Sequence, residues 1–346
     1  MTLPRRLLVA GGAGFIGSAF VRQMLSRHTE LEIVVLDKLT YAGNLANLDE
    51  VADDPRFRFV RGDINDGPLV DELAAEVEAI VNFAAESHVD RSILGPQTFI
   101  ATQVNGTQVL LDASRRHGCS RFVQVSTDEV YGEIAEGSVN EDAPLKPRSP
   151  YAASKAAADL IALSYHTTYD TPVLVTRGSN TYGPHQYPEK LIPLFVTNAI
   201  DEEPLPLYGD GLQVRDWLHV DDHAAGIALV LEQGIPGGIY NVAASEERTN
   251  LDLTRSVLEL LDRSDNLIRH VTDRPGHDRR YSIEALRVRD LGWQPRWKLD
   301  DGLAQTVRWY QDHPEWWRPL KSGEYLDYYQ RQYGERLASS LGGAER

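Results

Sequence analysis

The stretch Gly11-Gly12-Ala13-Gly14-Phe15-Ile16-Gly17 lies between the apolar run Leu7–Ala10 and the helical pattern Phe15–Arg27. Glycines at a strand-to-helix passage make a turn tight enough for backbone N–H groups to approach an anion at the helix start. Gly12, Gly14 and Gly17 fit G-x-G-x-x-G, and Gly11, Gly14 and Gly17 equally fit G-x-x-G-x-x-G. A glycine triplet alone is only a tight turn. Here a second apolar run ends Val34-Val35-Leu36-Asp37, placing an acid roughly 20 residues past the last glycine, where a carboxylate binds a ribose 2′-hydroxyl. The combination predicts a dinucleotide-binding fold. A carboxylate there repels a 2′-phosphate, which favours NAD over NADP, and the neighbouring Lys38 reads as a solvated charge. Asp63-Ile64, after a third run, are placed to bracket an adenine, although Asp63 alone is also an ordinary strand-exit residue.

Short apolar runs at Leu7–Ala10, Ile33–Leu36, Phe57–Val60, Ala79–Phe83, Arg121–Val125 and Val173–Thr176 alternate with helical patterns at Phe15–Arg27, Pro68–Ala75, Pro96–His117 and Pro150–Tyr169. Apolar strands alternating with helices predict an α/β class, a Rossmann-type doubly wound parallel sheet covered on both faces. After about residue 180 the segments shorten, and only Tyr240–Val242 still reads as a sheet strand. The expected division is a dinucleotide domain over 1–180, a smaller α/β substrate lobe over 181–330 with segments crossing back, and a tail over 331–346, frayed from Gly342.

Composition removes several function classes. Acids outnumber bases 51 to 35, a net charge of −16, which opposes nucleic acid and anionic membrane as partners. A phosphate-bearing ligand then requires local Arg and Lys. The single cysteine, Cys119, excludes an internal disulfide framework and fits a reducing cytoplasm. Arg5-Arg6 before an apolar run resembles a targeting signal, but the run breaks at once into the glycines, so it reads as a first strand. No run approaches the ~20 apolar residues of a membrane span.

Two further clusters fall where such a sheet presents its chemistry. Ser126-Thr127-Asp128-Glu129 follows the strand Arg121–Val125, and Tyr151-Ala152-Ala153-Ser154-Lys155 begins a helix with Ser149 as cap and Pro150 in its first position. Tyr151 and Lys155 are one turn apart and share a face, so the ammonium is expected to lower the phenol's pKa and make it a base. Each cluster has a plainer reading: chance helical spacing for Tyr and Lys, and an S-x-x-E capping box for Ser126 to Glu129. Their order, after a dinucleotide turn and on successive sheet edges, favours chemistry.

With these motifs the chain resembles the extended short-chain dehydrogenase/reductase superfamily, and within it the dTDP-glucose 4,6-dehydratase family, from the glycine turn to about residue 320. The specific segments are Asp37-Lys38-Leu39-Thr40-Tyr41-Ala42-Gly43-Asn44, Ala84-Ala85-Glu86-Ser87-His88-Val89-Asp90-Arg91-Ser92, Ser126–Gly132, Pro188–Pro193 and Arg274-Pro275-Gly276-His277-Asp278. The resemblance implies a hydro-lyase with tightly bound NAD that oxidises a nucleotide sugar at C4, eliminates water across C5 and C6, and returns hydride to C6. It implies Thr127, Asp128, Glu129, Tyr151 and Lys155 as catalytic. Cofactor contacts are implied at Gly11, Gly14, Phe15, Ile16, Gly17, Asp37, Lys38, Leu39, Thr40, Asp63, Ile64, Phe83, Ala84, Ala85, Ser87, Thr102, Tyr151, Lys155 and Thr181. Substrate contacts are implied at Ser87, Thr127, Asn180, Glu189, Lys190, Leu191, Pro206, Leu207, Tyr208, Arg215, Asn250, Arg274, His277 and Tyr281. Arg215 and Arg274 suit a diphosphate, since a guanidinium matches phosphate oxygens with two prongs.

The resemblance also implies a homodimer through helices Pro96–His117 and Pro150–Tyr169. No metal is expected, because His88 and His277 have no third partner at ligand spacing. Ala10 and Thr181 depart from the family pattern, which has Thr and a second Asn there; that Asn faces the nicotinamide half of NAD. Two other functions share these features, a nucleotide-sugar 4-epimerase and a non-catalytic NAD-binding protein. Adjacent Asp128 and Glu129 oppose the first, and the whole Thr-Asp-Glu and Tyr-x-x-x-Lys set opposes the second.

Overall fold

In the computed structural model, residues 4–342 are described, so 343–346, the end of the stretch expected to fray, lie outside the described residues. The strands are β1 (Arg6–Ala10), β2 (Glu32–Asp37), β3 (Phe57–Arg61), β4 (Ala79–Asn82), β5 (Arg121–Thr127) and β6 (Val173–Gly178). They are followed by β7 (Asn180–Tyr182), β8 (Leu205–Tyr208), β9 (Val214–His219), β10 (Ile239–Val242), β11 (Glu247–Thr249) and β12 (Ile268–Val271). One parallel sheet runs in the order β10-β6-β5-β4-β1-β2-β3.

Strand alternation explains why both faces of this sheet are covered. Leu7, Val9, Ile33, Val35, Val123 and Val125 point to the side packed by helices Phe15–Arg27 and Val220–Gln233. Leu8, Ala10, Leu36, Ile80, Phe122 and Val175 point to the other, packed by helices Gly67–Ala75, Thr107–Arg116 and Pro150–Tyr169. The helix expected over Pro96–His117 is α-helical at Pro96–Phe99 and Thr107–Arg116, with a π-helical stretch at Ile100–Gly106 between them.

The later half holds more strand than its sequence pattern suggests. Besides β10, which returns to the large sheet beside β6, β11-β9-β7 form a small sheet and β12-β8 a pair. These strands are three to six residues long, too short for period-two alternation to stand out. A separate core of Tyr182, Phe195, Leu205, Leu207, Trp217, Leu253, Tyr310 and Trp317 packs around them. Residues 324–342 are helical, and Tyr325, Tyr328 and Tyr333 are buried there.

Candidate active site

The chain leaves β1 for β2 and β3 on one side and reaches β4 on the other. Ligand crevices form outside the carboxyl ends of strands at such a reversal, and a cleft lies here. Gly11, at the end of β1, has φ +75°, and a Cβ on it would sit 2.5 Å from the Ala84 nitrogen. At Gly17 a Cβ would sit 2.4 Å from the Gly11 carbonyl oxygen. Only glycine meets both conditions. Helix Phe15–Arg27 starts at Gly14 with no side-chain cap, so its first N–H groups are left for an anion.

Asp37 Oδ2 accepts from the Ala13 N–H at 3.0 Å and Oδ1 from the Leu39 N–H at 2.8 Å. The carboxylate therefore ties the glycine turn to the exit of β2 as well as facing the cleft; burial raises its pKa while those two N–H groups oppose. Lys38 is not simply solvated, since its ammonium bridges to Asp63 at 2.6 Å. Gly11, Gly14, Phe15, Ile16, Gly17, Asp37, Lys38, Thr40, Asp63, Ile64, Phe83, Ala84, Ala85, Ser87, Thr102, Tyr151, Lys155 and Thr181 all line the cleft. Leu39 does not, and packs instead against the core on one side of the sheet. Glycine cradles, an uncapped helix start and a carboxylate at the exit of β2 fit the phosphates and ribose of a dinucleotide.

The reactive half is assembled from β5 and the helix Pro150–Tyr169. β5 runs to Thr127, and Ser126 is still paired within the sheet, opposite Arg177. The plainer capping-box reading of Ser126 to Glu129 therefore does not hold. Thr127 is the cap instead, its Oγ1 accepting from the Glu129 N–H at 3.3 Å at the start of the single turn Asp128–Tyr131. On the helix, Ser149 Oγ accepts from the Ala152 N–H at 3.1 Å, and Pro150 occupies the first turn, which leaves Tyr151 and Lys155 pointing at β5. Lys155 Nζ donates to the Val125 carbonyl at 2.8 Å.

The charge states of this group differ from the expected ones in one respect. Burial, with Glu129 close by, pushes the Tyr151 phenol up rather than down, and Thr127 opposes the rise. Burial also lowers Lys155 to about 8, with Asp159 opposing. Desolvation outweighs the expected ammonium–phenol attraction. Asp128 is 3% exposed and pushed up to about 8, first by burial and then by Glu129. Its Oδ1 accepts from Thr127 Oγ1 at 3.2 Å, while Oδ2 is buried without a partner. Burial also raises Glu129, but Arg274, Lys190 and Arg215 all oppose it. The pair is thus a protonated acid beside a carboxyl faced by three cations.

Of the residues implied for substrate, Ser87, Thr127, Asn180, Glu189, Lys190 and Leu191 line the same cleft. Glu189 is held by Arg91 Nε at 2.8 Å, and Lys190 Nζ donates to the Ser87 carbonyl. Pro206, Leu207, Tyr208, Arg215, Asn250, Arg274, His277 and Tyr281 lie outside that lining. Five of these form two contact groups of their own, one around Asp90 and one around Asp278. Tyr208 OH donates to Asp90 Oδ2 at 2.8 Å, Arg274 Nη1 to Asp90 Oδ1 at 3.2 Å, and Tyr281 OH to Asp278 at 2.6 Å. Arg215 stacks 4.3 Å over the Tyr281 ring, and the His277 ring meets Tyr208 edge-on at 5.9 Å. Leu207 is instead part of the second core, and the Asn250 side-chain carbonyl is buried without a partner.

Gln186, Tyr187, Trp217 and His223 line the cleft without a signal in the sequence. His223 stands 2.8 Å from the Thr181 hydroxyl, and burial lowers its pKa to about 4. A lone His in the amphipathic helix Val220–Gln233 has no motif to mark it. Among the described residues no cluster of His, Cys, Asp and Glu is placed to hold a metal, and no helix is long and apolar enough to cross a membrane.

A family model described as GDP-mannose 4,6 dehydratase matches residues 8–306. A dTDP-glucose 4,6-dehydratase of Streptomyces antibioticus is 56% identical over 321 residues, 91% of this chain and 95% of the relative. Among solved structures, the dTDP-glucose 4,6-dehydratase DesIV of Streptomyces venezuelae, with NAD bound, superposes with a TM-score of 0.90 at 55% identity, covering 91% of this chain and all of that one (100%). A UDP-glucose 4-epimerase of Thermus thermophilus, also with NAD, is more distant at 32% identity and TM-score 0.82, covering 88% of this chain and 99% of that one.

Proposed function

The chain belongs to the dTDP-glucose 4,6-dehydratase family, and from that premise we propose how its cleft converts dTDP-glucose to dTDP-4-keto-6-deoxyglucose. NAD, when bound, supplies a ring that accepts hydride from C4 and gives it back at C6, so it leaves each turnover unchanged. The turn Gly11–Gly17 and the start of helix Phe15–Arg27 would hold its phosphates, and Asp37 a ribose. Tyr151, as its phenolate, would take the C4 hydroxyl proton, with Thr127 holding that hydroxyl and Lys155 fixed against Val125 behind it. Burial disfavours the phenolate, and the positive charge of a bound NAD ring would favour it. Glu129 would take the C5 proton, which the C4 ketone makes acidic, while Asp128 gives its proton to the C6 hydroxyl, which leaves as water; as hydride returns to C6, Glu129 would give its proton back to C5. Arg215 and Arg274 hold the diphosphate, and Tyr208 the base.

The observation that carries this reading is the pair Asp128 and Glu129 in one buried corner with Thr127 and Tyr151. Epimerisation at C4 has no use for an acid at C6. Incubation with dTDP-glucose followed by alkali should give an enone-like absorbance near ~320 nm. A C4-inverted sugar instead would mean an epimerase, and no conversion a binding protein. The enzyme belongs to deoxysugar biosynthesis in the cytoplasm, consistent with its single buried cysteine. Exposed Ile100 in the π-helical stretch Ile100–Gly106 and exposed Leu160 on helix Pro150–Tyr169 support a homodimer through a four-helix contact.

A further inference from the structure

The loop from Leu39 to Asn44 crosses the cleft, with Thr40, Ala42 and Gly43 in its lining. Its ends are tied to the cofactor half: the Leu39 N–H donates to Asp37 at 2.8 Å, and the Asn44 N–H to the Ala13 carbonyl at 3.1 Å. Its middle is tied elsewhere. The Arg91 guanidinium lies between two rings, 3.9 Å over Tyr41 and 4.3 Å over Tyr328. Arg91 Nε also donates to Glu189 at 2.8 Å, and Nη1 to Glu324 at 3.2 Å. Tyr41 meets the Tyr187 ring edge-on at 5.5 Å, and Tyr187 meets Tyr325 at 6.2 Å. One side chain thus joins the loop, the segment that follows β7, and the C-terminal helices.

We propose that Arg91 is a latch that holds the Leu39–Asn44 loop down over the bound dinucleotide, so that the cofactor stays through successive turnovers. The inference rests on the function proposed above, in which NAD returns to its starting state and has no chemical reason to leave. Arg suits the position because a planar guanidinium stacks on both faces while its edge nitrogens bond carboxylates, which an ammonium cannot do. Arg91 and Tyr41 act here as positioning residues, through the loop rather than on the sugar.

The test loads the purified protein with radiolabelled NAD and follows its release into excess unlabelled NAD. Tyr41→Ala removes one face of the stack and should speed release by about tenfold. Tyr41→Phe keeps the ring and should stay within about twofold of wild type. Arg91→Lys keeps a charge opposite Glu189 but cannot lie flat between rings, so it should release like Tyr41→Ala. Melting temperatures of all variants show whether release reflects the loop or general unfolding; a large drop shared by Tyr41→Ala and Tyr41→Phe overturns the latch. A wild-type protein that never retains the dinucleotide removes both the proposed function and the latch. One that retains it, with Tyr41→Ala and Arg91→Lys retaining it equally long, overturns the latch alone.

Discussion

The two halves of the cleft are made from different materials. The cofactor half is largely backbone: glycines that leave no room for a Cβ, an uncapped helix start, and a carboxylate bonded to two N–H groups. The reactive half is made of titratable side chains held where water would otherwise satisfy them, and Asp128 and Lys155 both titrate near 8 there. In the first, shape serves folding and binding together. In the second, burial that suits proton transfer works against folding. Substitutions in the two halves should therefore move stability in opposite directions.

The largest effect is expected from Tyr151→Phe, which removes the proposed base and keeps the ring. Turnover should fall by about 10³–10⁴, with cofactor reduction and product falling together and the melting temperature unchanged or higher. Near-normal turnover would take Tyr151 out of the mechanism.

Next is the double change Asp128→Asn with Glu129→Gln. Product formation should slow by about 10²–10³ while reduced nicotinamide accumulates, read near ~340 nm. Equal loss of both half-reactions would show the assigned roles to be wrong. The same protein tests the stability contrast. Asp128 holds its proton in the folded state up to about 8 but loses it near 4 when unfolded. The folded state therefore binds more protons between those values, and wild-type stability falls as pH rises through that window. The Asn side chain has no such loss, so the double variant should gain about 1–3 kcal/mol over wild type between pH 5 and 8. A shrinking gap would break the comparison.

Gly17→Ala tests the other half. Its Cβ would press on the Gly11 carbonyl at 2.4 Å, so NAD affinity should fall about 10–100-fold and stability by about 1–3 kcal/mol. A stabilised variant would mean the turn is not built by glycine geometry. The smallest effect is in the pH profile of kcat. Above about 8 Asp128 loses the proton it is proposed to donate, and the rate should drop about tenfold per unit; a profile flat to pH 10 would move the acid elsewhere.

How much of this was legible depended on whether neighbours in sequence are neighbours in space. Helix Phe15–Arg27 was readable residue by residue, because its turn, its start and its apolar face are local. The Ser149 cap and the Tyr151–Lys155 face were readable for the same reason. The short strands β7, β8, β9, β11 and β12 were not, since three to six residues carry too little pattern. Nor was His223, which reaches the cleft only because its helix packs beside β6. The alternative Ser126 cap fails by one residue of strand length, a boundary that pairing with Arg177 sets.

Spacing and residue type alone determined the dinucleotide turn, the acid at the end of β2, and the presence of an acid pair beside Thr127, because each is written within a few residues. Only the tertiary structure decided their protonation. Burying Tyr151 under Phe99 and Val89 raised a phenol that helical spacing suggested would be lowered. Bringing Arg215, Lys190 and Arg274 from distant segments toward Glu129, but burial and Glu129 against Asp128, made two adjacent acids unequal. Charge states follow from the sum of desolvation and every nearby charge, and that sum runs over contacts that chain order does not list.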